Sequence, residues 1–166
     1  MGTKVGMAAM AVVLAGLAWT VFKPTVVPNV TMTAAGESTT VDQVRGQKLK
    51  LVLALIHPTD PNSKTAVTML KTQFATYEGR ATFAGLMLAD AAAAEAFEKD
   101  QDLPFTVYAM TPQQNPAEYN EPVKAVGGFR NRCFVGTVLV LDQSRRISVQ
   151  VNGNELENLS SALSKL

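Results

Sequence analysis

Residues 49–56, LKLVLALI, form a run of strand length that is apolar on both sides of a two-residue alternation, interrupted only by Lys50. Such a run has no face to give to water, so it belongs in a sheet covered on both sides rather than in a half-exposed hairpin. HPTDPNSK follows at once, and Pro58 and Pro61 stop the strand. Asn62 and Ser63 can cap a helix there, and Asp60 suits the same place because a carboxylate satisfies orphan N–H groups and meets the positive end of the dipole. Val67, Leu70, Phe74 and Tyr77 then fall on one helical face until Gly79.

The alternation continues. ATFAGLMLA (81–89) predicts a second strand, DAAAAEAFEKDQ (90–101) a helix capped by Asp90, and FTVYAM (105–110) a third short strand. NPAEYNEPVKAVGGF (115–129) reads as a broken helix or loop. FVGTVLVLD and ISVQV, joined by QSRR, predict a hairpin, and Leu156, Leu159, Leu163 and Leu166 share one face of a closing helix. The order β-α-β-α-β-(α)-β-β-α predicts an α/β fold: a mixed sheet of four or five strands with 49–56 in its middle and helices on both faces.

Ahead of this domain, Val5–Phe22 carries no charge and would cover roughly 27 Å as a helix, near the thickness of a hydrocarbon core. Lys4 and Lys23 bracket it, and Trp19 and Phe22 lie at the end where aromatic rings favour the interface. WTVFKPTVVP offers no small-x-small cleavage site, so an uncleaved anchor over 1–23 is expected rather than a removed signal. Ala8, Ala11, Ala15 and Ala18 put small side chains on one face, which allows close approach of a second membrane helix. An Ala-rich segment also yields such a stripe by composition alone. Residues 24–35, with Pro24 and Pro28, are expected to be an extended tether, and 36–166 the folded domain.

Charge and composition exclude several functions. A net charge of +1 gives no electrostatic footprint for nucleic acid. One cysteine excludes an internal disulfide and a zinc site built on several thiolates, and one histidine, His57, with Asp60 three residues on, could hold a metal only weakly without further ligands. No phosphate loop, Ser-His-Asp ordering or H-E-x-x-H occurs. No metal, cofactor or small-molecule substrate is expected.

A βαβ unit whose first strand runs into a Pro-containing turn at a helix N-terminus, with a late hairpin and a closing helix, resembles the thioredoxin-like superfamily. More specifically, GESTTVDQVRGQKLKLVLAL and VGTVLVLDQSRRI are similar to the lead-in and the hairpin of the membrane-anchored thioredoxin-like proteins of bacterial envelopes. The likeness runs from Gly36 to Leu166. It implies that HPTDPNSK stands where redox-active members have a turn with two cysteines, so that Asp60 and Ser63 take the thiol positions. A carboxylate and a hydroxyl do not exchange with disulfides. The resemblance also puts Gly136 where the family has a cis-proline beside that turn.

Cys133 has two readings: a small buried hydrophobe beside Phe134 and Val135, or a thiol able to form a mixed disulfide or a sulfenic acid. Together these readings lead to a non-catalytic, redox-inactive accessory subunit, not an enzyme, that stabilises or helps assemble a bacterial membrane protein complex of photosynthetic or respiratory type. Its helix would lie in the bacterial inner membrane with the domain on the periplasmic side, and its partners would be subunits of that complex. The alternative is an envelope thiol-disulfide or peroxide-reactive protein that uses Cys133.

Overall fold

The computed structural model describes residues 26–110 and 136–166. Its strands are β1 (Thr31–Ala34), β2 (Glu37–Thr40), β3 (Lys50–Ile56), β4 (Ala81–Met87), β5 (Val107–Ala109), β6 (Val138–Leu141) and β7 (Ile147–Val151). Its helices are α1 (Val41–Arg45), α2 (Pro61–Tyr77), α3 (Ala91–Asp100) and α4 (Leu159–Leu163), the last preceded by a 3-10 turn over Gly153–Asn158. The seven strands form one sheet in the order β2-β1-β5-β4-β3-β6-β7. β3, β4 and β5 run parallel, while β1, β6 and β7 each run antiparallel to their neighbours.

The LKLVLALI run behaves as its composition requires. β3 is hydrogen-bonded on one side to β4, with Lys50 opposite Ala81, and on the other to β6, with Leu51 opposite Leu141. Its side chains divide by parity: Val52, Ala54 and Ile56 enter one apolar cluster, Leu51, Leu53 and Leu55 the other. The first cluster is roofed by α2, α3 and the C-terminal turn and helix, through Val67, Leu70, Phe97, Leu156, Leu159 and Leu163. Phe74, Phe83 and Phe105 meet there with ring centroids 5.4 to 6.3 Å apart. On the second face lie Val27, Val30, Met32 and Val41, from the N-terminal segment, β1 and α1. The helices on both faces are therefore unequally shared among the described residues.

Two expectations are corrected. The sheet has seven strands rather than four or five, because β1 and β2 form a hairpin around Ala35 and Gly36, both at positive φ (51° and 82°). Nor do residues 24–35 act as a tether throughout. Val27 and Met32 are fully buried, Thr31–Ala34 is a sheet strand, and Val27 is held to the β6–β7 turn through Val27 N–H to Arg145 O (2.9 Å). The packed domain therefore begins ahead of Gly36. Short valine-rich stretches separated by prolines look like linker because Pro28 breaks the periodicity that would reveal their burial.

The N-terminal segment 1–23, with Ala8, Ala11, Ala15 and Ala18, lies outside the described residues, as do 115–129 and Cys133. Among the described residues no helix is long and apolar enough to cross a membrane.

Candidate functional site

The turn between β3 and α2 is built by its own side chains. Asp60 is the N-cap of α2 in extended conformation, and Pro61 follows at the first helical position, where a missing N–H costs nothing. Asp60 Oδ2 accepts from Ser63 N–H at 2.6 Å and from the Ser63 hydroxyl at 2.8 Å. Ser63 Oγ in turn accepts the N–H of His57 at 3.0 Å. A fully buried serine is thus satisfied as donor and acceptor, and ties the end of β3 to the first turn of α2. The His57 ring is engaged elsewhere, with Nδ1 3.0 Å from Thr59 Oγ1.

That wiring decides what the turn can do. Asp60, Ser63 and His57 are close together, yet the imidazole does not reach the serine hydroxyl, and Ser63 is buried. It is not a nucleophile with its base. Among the described residues no group of three or more His, Cys, Asp or Glu comes together to hold a metal. Of the three expected capping residues Asp60 is the cap, Ser63 is bonded to it, and Asn62 is exposed, with its Cβ close to glycines from elsewhere in the chain.

Gly136 presses against this turn. Its N–H donates to Leu55 O at 2.7 Å and Leu55 N–H donates to Thr137 O at 2.9 Å, which continues the β3–β6 ladder to the mouth of the turn. Gly136 has φ +81°, and a Cβ there would fall 2.5 Å from Asn62 Cβ and 3.0 Å from Asn62 C. Gly153 closes on the same side chain, where an added Cβ would sit 2.8 Å from Asn62 Cβ. Asn62 is therefore wedged between two glycines from distant parts of the chain. The structure brings together Asp60, Ser63 and Gly136 of the expected residues. Asn62 as a wedge and Gly153 as its second wall have no local signature, because an Asn-Gly-Asn sequence reads only as a turn.

Thr137, beside Gly136, is fully buried and its hydroxyl has no hydrogen-bond partner among the described residues. An unsatisfied buried hydroxyl costs about 1–3 kcal/mol. Thr137→Val, nearly isosteric, is expected to raise the urea midpoint without changing the slope. A lowered midpoint would show that the hydroxyl does useful bonding in the native protein.

No family model and no curated protein matches this chain. Solved structures do. The thioredoxin domain of a thiol-disulfide oxidoreductase from Bacteroides vulgatus is similar with a TM-score of 0.62 at 12% identity, over 82% of this chain and 94% of that one. The peroxidoxin BcpB of Mycobacterium tuberculosis gives 0.64 at 14% identity, over 85% and 93%. A secreted disulfide oxidoreductase of Mycobacterium tuberculosis gives 0.57 at 20% identity, over 83% and 96%. These proteins are enzymes by name, and they overturn the expectation that this chain is not one: its fold is one on which thiol redox enzymes are built.

Proposed function

Taking the thioredoxin-like fold of this chain as the premise, we propose that it serves as an accessory subunit that stabilises or helps assemble a bacterial membrane protein complex. In this reading the segment 1–23 is an uncleaved inner-membrane helix, the domain lies on the periplasmic side, and the host is a photosynthetic or respiratory assembly. Asp60 and Ser63 occupy the thiol positions of redox-active relatives of this fold, and Gly136 the position of their proline.

The observation that carries the reading is the closed hydrogen-bond set of the turn. Asp60, Ser63 and the His57 N–H are spent on one another, so this end of α2 has a fixed shape that a protein surface can read without ordering it first. The Ala8, Ala11, Ala15 and Ala18 stripe supplies the second contact, within the membrane.

The test is retention of partners after mild detergent extraction. Ala11→Leu combined with Ala15→Leu should keep the segment hydrophobic enough to insert and yet reduce recovery of co-purifying chains severalfold. Unchanged recovery in that variant, lost instead on substitution of Asp60, would move recognition to the globular domain. Recovery of the unsubstituted chain alone, with no co-purifying partner, would defeat the accessory reading.

The likeness to oxidoreductases and a peroxidoxin favours a second role on Cys133. Its thiolate would attack a disulfide, breaking the S–S bond and expelling one sulfur as thiolate to leave a mixed disulfide, or a peroxide, breaking the O–O bond and releasing water or an alcohol to leave a sulfenic acid. Peroxide consumption or disulfide exchange that disappears in Cys133→Ser would establish it.

A further inference from the structure

We propose that the end of the sheet opposite the Asp60–Ser63 turn is the surface this domain lays on a lipid bilayer, with Leu49 at its centre and Lys48, Lys50, Arg80 and Arg146 as contacts to anionic headgroups. Among the described residues the exposed large hydrophobic side chains are Val26, at 45%, and Leu49, at 64%. Pairing places both at this end. Leu49 precedes Lys50, which lies opposite Ala81 next to Arg80. Leu51 lies opposite Leu141, and Leu141 leads into the turn that Asp142 closes by accepting the N–H of Arg146 at 2.9 Å. Val26 bridges to Arg146. The Lys48 ammonium reaches across to Gly79 O at 3.0 Å, which gathers the loop before β3 and the loop before β4.

The chemistry of the patch is that of an interfacial surface: apolar tips that enter the headgroup boundary and long cationic side chains that reach phosphate. Lys48, Arg80 and Arg146 are exposed and Lys50 is half-buried. The acidic groups at this end include Asp42, which pairs with Arg45 and Arg145, Asp142, whose Oδ1 holds the turn, exposed Glu78, and, from the end of α3 to the start of β5, Glu98, which accepts the Val107 N–H, exposed Asp100, and Asp102, which pairs with Lys71. The cations beside Leu49 outnumber Glu78, their acidic neighbour.

Chain connectivity names the occupant. The uncharged stretch Val5–Phe22 ends with only Lys23, Pro24 and Thr25 before Val26. Three extended residues reach about 11 Å at most. With Val27 fixed to Arg145, that leash cannot carry this end far from a bilayer that holds Val5–Phe22. This step rests on the membrane-helix reading above. β3 spans about 23 Å, so the Asp60–Ser63 turn faces away from the lipid, towards a partner.

The experiment uses the full chain in nanodiscs of phosphatidylcholine and phosphatidylglycerol that carry a headgroup nitroxide. A fluorophore is placed, in a Cys133→Ser background, at Leu49→Cys or at Lys64→Cys beside the opposite turn. The Leu49 label should lose most of its emission and the Lys64 label little. Lys48→Gln with Lys50→Gln and Arg80→Gln, or raised salt, should restore much of the lost emission. Equal quenching at the two sites, or the reverse order, overturns the proposal, and quenching indifferent to both charge and salt overturns the headgroup contacts. Alkaline extraction tests the anchor separately. If the chain washes off, quenching at Leu49 by added anionic vesicles still supports the surface, and its absence refutes it.

Discussion

Gly136→Ala should lower the stability of the domain by about 3 kcal/mol. A left-handed residue with a Cβ costs about 1–2 kcal/mol, and forcing extra volume into a packed site costs a further 1–3 or so. Both terms apply here, since Gly136 has φ +81° and its Cβ would meet Asn62 Cβ at 2.5 Å and the Asn62 backbone at 3.0 Å. Backbone cannot swing aside as a side-chain tip can. Gly79→Ala is the control, because nothing lies within 4 Å of the added Cβ. Urea unfolding followed by circular dichroism reads both, and an unchanged midpoint for Gly136→Ala would refute the packing described. Gly136→Pro should be no rescue: the ring fixes φ near −65° and removes the N–H that donates to Leu55 O. The bend is built around glycine, and a proline at that position cannot reproduce its backbone angle or its hydrogen bond.

A comparable loss, about 3–4 kcal/mol, is expected for Leu53→Ala, because the site leaves a cavity that neighbouring strands cannot close. Leu53 is fully buried in β3, opposite Ala84 on β4 and Leu139 on β6, and its side chain joins Leu51, Leu55 and Leu86 on the second face. Leu49→Ala, at the same strand's exposed end, should change stability by less than about 0.5 kcal/mol. The contrast between two leucines four residues apart separates strand burial from hydrophobicity as such. Equal losses would mean that Leu49 is covered in the folded protein.

The parts of the fold legible in the sequence are those written in local patterns. The apolar run 49–56 became β3, Asp90 caps α3 by accepting the Ala93 N–H at 2.7 Å, and ISVQV is β7 to the residue. Leu156, Leu159 and Leu163 are buried as their spacing requires, although the first lies in a 3-10 turn. The misses are non-local. β1 was hidden because a strand paired with β2 and β5 needs only a few residues, and Thr31–Ala34 carries one buried side chain, Met32. At the site, Asp60 was readable as a cap. The reciprocal role of Ser63, as acceptor for His57 and donor to Asp60, follows only once β3 and α2 are fixed in space. Gly136 was singled out by its position in a motif, whereas the reason it must be glycine lies in Asn62, more than seventy residues away.

The clamp on the N-terminal segment has a consequence for synthesis. Arg145 Nε donates to Val27 O at 2.9 Å, across 118 residues of sequence, and its guanidinium also pairs with Asp42. Chains fold from the N-terminus as they emerge, and long-range contacts close last. Val27, Val30 and Met32 therefore leave the ribosome well before their fastening exists. The second face of the sheet stays open until the β6–β7 turn arrives. During that interval a chaperone has its opportunity to bind, and a truncated chain ending before Asp142 would remain a substrate for proteases however well its first face had packed.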